Sequence, residues 1–390
     1  MEVENKVDIR TILQLGFINA IAGMSDGFLY AFLPVYGIEL GFTPMMVGAL
    51  LSMNRFVRFF TNRLVAFIAS ITGVKKLYVG GILLSLLVSL CFATMPPFVF
   101  WVIARVLWGL SFSIIRFSKL QYLSLCSKMG TAFGLSSSIG GSVQIISYFL
   151  GSIIIATYPK GMVFMVYAFL LVLCIPLLYR VPTIKIVTQD IKLTQFQLPN
   201  KIDLWGFLTN FSLDGILIVG ISALMKFEGD QENILFGTAL FISIRRAIGI
   251  VFAPLFGIPI DRLGLFKSYI IMVGMLLSGI VLVIFDHIIP GLIVIFIGAT
   301  ANQTLVPLLR IQTCQPHQQF SAVTRLNSSQ DMGAAFGALF GLSLILSVHN
   351  ALLFSIIGAT TFGLSIIVGQ FIKKQEKMGV QFIAQPNTPQ

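Results

Sequence analysis

Long apolar stretches separated by short polar ones run along the chain. A run of about 20 apolar residues is long enough to cross a bilayer as a helix. Such runs predict twelve spans, at residues 11–37, 44–70, 76–95, 97–119, 130–157, 161–179, 204–226, 233–257, 266–286, 289–309, 330–348 and 350–372. The pattern therefore predicts an all-α membrane protein with twelve transmembrane helices.

One connection is longer than the others and is polar. It covers residues 180–203, between the sixth and seventh predicted spans. We therefore expect an N-terminal six-helix bundle at 1–179, a cytoplasmic linker at 180–203, a C-terminal six-helix bundle at 204–372 and a cytoplasmic tail at 373–390.

Short motifs repeat between the two halves of the chain. "SDGFL" at 25–29 matches "LDGIL" at 213–217, and further matches follow in the same order at similar spacing. The aligned positions are Asp26 with Asp214, Arg55 with Arg246, Gly73 with Gly264, and Arg116 with Arg310. The repeat predicts two related, pseudo-symmetric bundles, an arrangement in which many secondary transporters form a central site at the repeat interface.

Composition and charge agree with a membrane protein. The 390 residues are 56% hydrophobic and 11% charged, whereas a soluble domain carries about 25% charged residues. The net charge of +11 could suggest nucleic acid binding, but most of the 26 Lys and Arg lie at the termini and in loops on one side of the predicted spans. By the positive-inside rule, this asymmetry predicts that both termini are cytoplasmic. It also explains the net positive charge without nucleic acid as a partner.

Arginine is over-represented inside the predicted spans. Six arginines lie there: Arg55, Arg58, Arg63, Arg105, Arg245 and Arg246. Each charge near the bilayer centre costs about 2.5–3.5 kcal/mol, and only Asp26 and Asp214 lie at a similar depth. Because an unpaired buried charge is strongly destabilising, the excess predicts a water-filled cavity that binds an anionic substrate. Guanidinium groups suit this task since they bind carboxylates bidentately.

Candidate roles follow from this charge imbalance. We expect substrate contacts from Arg55, Arg58, Arg246, Arg105, Tyr30, Gln144 and Asn302. Asp26 and Asp214 are candidate proton carriers, because a carboxyl group in low-dielectric surroundings can bind and release a proton. Two alternatives stay open: the arginines can form structural ion pairs, and Asp26 can pair with an arginine of another helix.

The segment "GIPIDRLGLFK" at 257–267 resembles the Gly-x-x-x-Asp-Arg-x-Gly-x-x-Lys loop signature of the major facilitator superfamily. The resemblance implies a twelve-helix fold and a conformational latch on the cytoplasmic side, formed by Gly257, Asp261, Arg262, Gly264 and Lys267. The first-half counterpart at 66–76 departs from the signature, because Ser70 replaces the Asp and Ala66 replaces the Gly.

Two further stretches resemble motifs of the same family. "ARVLWGLSF" at 104–112 is similar to the Arg-x-x-x-Gly pattern of proton-coupled members, with Arg105 and Gly109 at the matching positions. Residues 134–151 resemble the glycine-rich helix of proton antiporters, but Ser147 and Tyr148 stand where Gly-Pro is expected. The resemblance thus implies proton coupling and argues against a typical drug antiporter.

Together these features predict a proton-coupled secondary transporter that moves a small organic anion by alternating access. A citrate-type siderophore, exported, is the specific candidate substrate. A multidrug/proton antiporter for lipophilic or cationic compounds and a non-transporting sensor of the same fold are the alternatives. The sequence contains no P-loop, GxSxG or HExxH motif, so we expect no enzymatic activity, cofactor or metal.

The expected setting is a monomer in the cell membrane. The likeness to bacterial exporters implies the bacterial inner membrane, with membrane lipids, protons and a small molecule as partners.

Overall fold

A computed structural model describes residues 7–126, 129–184, 200–225, 230–313 and 319–377. In these ranges the chain forms fourteen α-helices and one π-helical segment. The helices of the first half are α1 (Ile9–Ala22), α2 (Met24–Tyr36), α3 (Pro44–Thr72), α4 (Val74–Ala93), α5 (Phe98–Ser124), α6 (Met129–Thr157) and α7 (Gly161–Tyr179). The second half contains α8 (Lys201–Asn210), the π-helical segment (Phe211–Ile216), α9 (Leu217–Leu224), α10 (Gln231–Leu263), α11 (Leu265–Ile284), α12 (Ile288–Gln312), α13 (Gln319–Ser347) and α14 (Asn350–Lys377).

Each predicted span is one helix or a run of consecutive helices, which confirms the twelve-helix architecture. Among the described residues, eleven of the twelve are long and apolar enough to cross a membrane. The twelfth is α3, which is 29 residues long and contains Arg55, Arg58 and Arg63. Its length fits a span, but charged residues near its middle lower its hydropathy.

The first and seventh spans are both irregular, and the irregularities fall near the aspartates that the repeat aligns. In the first span, Gly23 separates α1 from α2, and Asp26 lies in the first turn of α2. In the seventh span, Asp214 lies within the π-helical segment. π-helical turns inside α-helices occur frequently at functional sites. The π-helical segment at Asp214 and the break next to Asp26 therefore point to these two carboxylates as candidates.

Two glycines aligned by the repeat adopt the same unusual backbone conformation. Gly73, between α3 and α4, has φ 84° and ψ 151°. Gly264, between α10 and α11, has φ 80° and ψ 170°. This region of backbone space is essentially restricted to glycine, so both turns require the residue. The shared conformation supports the internal repeat.

The chain forms two compact units. The first comprises Met1–Phe196, Gly215–Ala247 and Ala335–Leu346, and the second comprises Gln197–Asp214, Ile248–Ala334 and Ser347–Gln390. The division into bundles at the linker 180–203 stays a prediction, and residues 185–199 of that linker lie outside the described residues.

Aromatic packing in the first unit joins the helices that carry the candidate site. The rings of Phe92 and Trp101 stack at 4.9 Å, and Phe164 packs edge-on against Phe92 at 5.6 Å and against Phe32 at 5.7 Å. These rings belong to α2, α4, α5 and α7. Aromatic pairs of this kind contribute about 0.5–1.5 kcal/mol each beyond their buried area, and here they fix α2 against α5, the helices that carry Asp26 and Arg105.

Candidate functional site

A buried ion pair joins α2 to α5. The Arg105 guanidinium is fully buried and donates through Nη1 to Oδ1 of Asp26, whose side chain is 17% exposed. Asn54 of α3 donates to the same oxygen at 3.2 Å. This is the Asp–Arg alternative that the sequence left open. In this conformation Arg105 faces Asp26 rather than solvent, so the structure does not offer the predicted contact between Arg105 and a substrate.

Backbone carbonyls of α3 hold the remaining nitrogens of Arg105. Nε donates to the Leu50 carbonyl at 2.6 Å and Nη2 to the Leu51 carbonyl at 3.4 Å. The Tyr30 hydroxyl also donates to the Leu51 carbonyl, at 3.2 Å. A buried ion pair is favourable only when additional hydrogen bonds satisfy its remaining polar atoms, and these carbonyls supply them.

Two further predicted arginines lie on α3 against aromatic rings. Arg58 is buried, with its guanidinium carbon 4.6 Å from the centre of the Phe112 ring. Arg55 is half-buried, and its guanidinium carbon is 5.6 Å from the centre of the Tyr30 ring. Ring faces attract cations, so they offset part of the cost of removing these charges from water. The Tyr30 hydroxyl and Arg105 Nη2 donate to the same carbonyl, that of Leu51. Through its contact with Tyr30, Arg55 therefore lies near the Asp26–Arg105 pair.

Gln144 of α6 packs directly over Gly27, the neighbour of Asp26. A Cβ at residue 27 would overlap the Gln144 amide, so glycine is what allows the two helices to approach here. Gln144 is half-buried and its amide nitrogen is 3.4 Å from the Ser147 hydroxyl. The structure therefore places Gln144 beside the turn that carries Asp26, and the substrate role of Gln144 stays a prediction.

Tyr148 of α6 belongs to this group but was not predicted. It is buried, and Arg246, Asp26 and Tyr30 are near enough to act on its hydroxyl electrostatically. Arg246 itself is exposed, near the middle of α10, while Arg245 is half-buried. The signal in the sequence was the departure from Gly-Pro at residues 147 and 148. The sequence analysis used this departure only as an argument against a typical drug antiporter.

A second ion pair, also missed, lies in the other compact unit. Arg310 of α12 donates from Nε to Asp203 Oδ1 at 2.9 Å and from Nη2 to Oδ2 at 3.4 Å. The Asp203 side chain is fully buried and that of Arg310 is 5% exposed. Asp203 was assigned to the end of the linker, although Asn200 and Asp203 form a capping box at the start of α8. That spacing is a recognisable helix-start signal.

Asn302, a predicted substrate contact, is engaged within the second unit. Its side-chain oxygen accepts from Trp205 Nε1 at 2.8 Å, and its amide nitrogen donates to the Thr209 hydroxyl at 3.2 Å. The residue is buried. Both of its polar atoms therefore bind α8, so Asn302 bridges two helices in this conformation.

The structure gives positions for the remaining predicted residues, and their proton-carrying and latch roles stay predictions. Asp214 is half-buried in the π-helical segment, and Lys267 is exposed in the first turn of α11. Gly257, Asp261 and Arg262 belong to α10, but their side chains, like that of Arg63, lie outside the described part of the structure. The latch stays a prediction.

A cavity of about 910 Å³ lies away from these residues. It is lined by Tyr36, Glu39, Ala93, Met95, Ile155, Tyr158, Pro159, Lys160, Gly161, Met162, Met165, Asp230, Gln231 and Glu232. Lys160 forms an ion pair with Glu39 and lies 4.8 Å from the centre of the Tyr36 ring. The lining comes mainly from helix ends and loops, and it includes none of the predicted substrate or proton residues.

Comparisons with known proteins agree on one family and fold. The sequence profile of the Major Facilitator Superfamily matches residues 15–338. Two solved structures of the nucleoside transporter NupG are similar: a single-site variant with TM-score 0.72, and the protein without that substitution with TM-score 0.71. Each is 13% identical in sequence, and each match covers 94% of this chain and 99% of the other. No curated protein matches the sequence significantly.

Proposed function

Since this chain belongs to the Major Facilitator Superfamily, we propose that it couples the movement of a small organic anion to that of protons. Family membership makes it a multi-pass membrane protein that carries out secondary transport of a small molecule. The substrate class, the coupling ion, the bacterial inner membrane and the cytoplasmic termini belong to the proposal.

The observation that carries the proposal is the partly exposed Asp26 carboxylate beside fully buried Arg105. Within the described part of the chain, the donors from Arg105 and Asn54 both bind Oδ1, and in this proposal Oδ2 takes up the proton. Protonation would leave Arg105 without its counter-charge, a situation that costs about 3–5 kcal/mol for a buried pair. Negative charge supplied by a substrate would offset that cost.

This charge balance gives the coupling a sign. An anion binds more tightly when Asp26 is protonated, because the surrounding arginines then have less negative charge to face. A proton and the anion should therefore bind together and cross the membrane in the same direction. Export of a citrate-type siderophore in exchange for protons would need the opposite sign, so the direction of the pH effect separates the two cases.

The surrounding arginines supply the anion specificity in this proposal. Arg55 and Arg58 lie on one helix, three residues apart, and Arg246 is exposed near the middle of its span. Residues three apart share a helix face, and a charged side chain exposed at this depth must face water because contact with lipid is too costly. Planar guanidinium groups favour carboxylates over neutral or cationic ligands.

The test is transport into liposomes that contain the purified protein. Radiolabelled citrate is the anionic probe, uridine the neutral probe and tetraphenylphosphonium the cationic probe. We expect citrate to accumulate above the level of protein-free liposomes when the outside is acidic, and not without a pH gradient. Asp26→Asn should abolish gradient-driven accumulation while citrate–citrate exchange continues, because the amide keeps the shape of the site but cannot take up a proton.

The matched control is Glu39→Gln, which makes the same chemical change at the partly exposed ion pair with Lys160 and should leave uptake unchanged. Uridine accumulation without citrate accumulation would instead indicate a nucleoside substrate. Accumulation of the cation with Arg58→Ala tolerated would indicate a drug antiporter. Citrate binding without accumulation of any probe would indicate a sensor.

A further inference from the structure

The side chain of Asn54, on α3, has one polar atom with a partner and one without. It is 3% exposed, and its Nδ2 donates to Oδ1 of Asp26 at 3.2 Å. Its own Oδ1 is buried and accepts no hydrogen bond from any residue that the structure describes. A buried polar atom without a hydrogen bond is costly and requires an explanation.

The orientation of the Asn54 amide follows from the charge of Asp26. An ionised carboxylate accepts hydrogen bonds and donates none, so the amide must present its nitrogen to Asp26. Arg105 donates to the same oxygen through Nη1. A guanidinium group has donors only, whereas an amide has both a donor and an acceptor. Asn54 can therefore bind a neutral carboxyl group in a way that Arg105 cannot.

Protonation changes the hydrogen bonds that Asp26 needs. A neutral carboxyl group has an O–H donor, and a donor in buried surroundings needs an acceptor. The nearby carbonyls of Leu50 and Leu51 already accept from Arg105 and, at Leu51, also from Tyr30. An amide and a carboxyl group can pair through two hydrogen bonds, N–H to carbonyl oxygen and O–H to amide oxygen. The first of these bonds is already present.

We propose that Asn54 is a positioning residue for the proton, because its Oδ1 accepts the hydrogen bond of protonated Asp26. The proton comes from solvent and adds to Oδ2 of Asp26, and the new O–H donates to Asn54 Oδ1 while Asn54 Nδ2 keeps its bond to Asp26 Oδ1. On release the proton returns to solvent. The inference rests on the proposed function in one respect, that Asp26 takes up a proton, and it does not depend on the substrate.

The elements around α2 carry other charged or titratable groups near Asp26. They are Arg105 of α5, Tyr30 of α2 with Arg55 of α3 against its ring, Tyr148 of α6 with Arg246 of α10, and Tyr167 of α7. The sequence of α9, which also packs on α2, contains no titratable residue. All these groups stay the same when residue 54 is replaced, so a difference between variants at this position reports on Asn54.

The first experiment follows the proton and needs no substrate. Infrared difference spectra of the parent protein over a pH series should show the carbonyl band of a protonated carboxyl group, and its loss in Asp26→Asn assigns the band. Asn54→Leu should move the band to higher wavenumber, because a carboxyl group that loses its hydrogen-bond partner has a stiffer C=O bond. Asn54→Thr, whose hydroxyl can donate and accept, should move it less than Asn54→Val, which has the same shape.

The second experiment compares melting temperatures in detergent at two pH values, one where the Asp26 band is absent and one where it is complete. Asn54→Leu should lower the melting temperature at both, because it removes a partner of both forms of Asp26. In the background Asp26→Leu with Arg105→Met the loss should be smaller and independent of pH, since residues that no longer interact give additive effects.

Asn302→Leu is the matched control for both experiments. Asn302 is 2% exposed, and both of its polar atoms are bonded to α8. Its replacement should leave the Asp26 band where it is, and its effect on the melting temperature should depend neither on pH nor on Asp26.

A loss of melting temperature that is confined to the higher pH would overturn the inference, because Asn54 would then bind only the carboxylate and its oxygen would bind water. An unmoved infrared band in Asn54→Leu and Asn54→Val would also overturn it, and in both cases the proposed function would stand. If the parent protein shows no such band at any pH, Asp26 takes up no proton, and the inference and the proposed function fail together.

Discussion

The two described acid–arginine pairs use the same chemistry in different surroundings. In the first compact unit, Asp26 is 17% exposed beside fully buried Arg105. In the second, Asp203 is fully buried and Arg310 is 5% exposed. Arg310 binds both oxygens of Asp203, whereas both donors to Asp26 bind one oxygen. The first carboxylate thus keeps an accessible surface, whereas the second has none.

Both aspartates lie in the first turn of a helix, so the difference comes from what surrounds each of them. Asp203 lies in the first turn of α8, where free backbone N–H groups favour negative charge, and its Oδ2 also accepts from the Asn200 N–H at 3.0 Å. Asp26 follows the break at Gly23, well inside its span. The chemistry of the pair alone does not separate a structural role from a functional one. In the proposed mechanism, the exposed surface of Asp26 and the neighbouring arginines make that separation.

The largest expected effect comes from removing one partner of the fully buried Asp203–Arg310 ion pair. Arg310→Ala leaves the Asp203 charge buried and uncompensated, which should lower the free energy of unfolding by about 3–5 kcal/mol. Replacing both partners, as Asp203→Leu with Arg310→Met, should restore most of this loss, because an apolar pair of similar volume is well tolerated. Apparent melting temperatures of the three proteins measure this. Equal decreases in melting temperature in the single and double variants would show that the cost does not come from an uncompensated Asp203 charge.

The same double replacement at the first pair separates stability from function. Asp26→Leu with Arg105→Met should give a folded protein that shows no pH-driven citrate uptake, because the proton-binding carboxylate is gone. Retained uptake in this variant would place the coupling residue elsewhere, with Asp214 as the next candidate.

A smaller effect should come from lengthening each acid by one methylene. Asp203→Glu adds volume to a fully buried site, where overpacking costs about 1–3 kcal/mol. Asp26→Glu adds the same group to a partly exposed site, and we expect it to cost less and to retain pH-driven uptake. Melting temperature and citrate uptake, measured on both variants, check the contrast. Similar losses of stability at both positions would remove the distinction between them.

The smallest effect concerns the approach of α6 to α2. Gly27→Ala forces the Gln144 amide away from Asp26, and we expect about fivefold weaker citrate binding, close to the value of one neutral hydrogen bond, with proton coupling kept. Gly80→Ala in α4 is the control, because a Cβ there meets no neighbouring atom within 4 Å. Unchanged citrate affinity in Gly27→Ala would remove Gln144 from the substrate site.

Hydrophobic pattern was sufficient to predict the twelve spans, because span length and apolarity are properties of local sequence. The repeat also identified Gly73 and Gly264, which share a backbone conformation. The breaks in the first and seventh spans were not predicted, since neither Gly23 nor the residues around Asp214 interrupt the apolar pattern.

Side-chain partners were harder to predict than helices. The count of arginines inside the spans identified Arg105 as a residue of interest, but its choice of Asp26 over a ligand depends on where the carbonyls of Leu50 and Leu51 lie. Tyr148 was passed over because it was compared only with the family pattern. Pair formation depends on the packing of distant helices, which periodicity does not encode.

The π-helical segment Phe211–Ile216 has a mechanical consequence. A π-helical turn contains an extra residue relative to an α-helical turn, and each α-helical residue advances the chain by about 100° and 1.5 Å. If the π-helical turn became a regular α-helical turn, the part of the seventh span after it would rotate by about 100° about the helix axis. It would also shift by about 1.5 Å along that axis. The π-helical segment thus marks the place in the seventh span, at Asp214, where such a change of helix type would act.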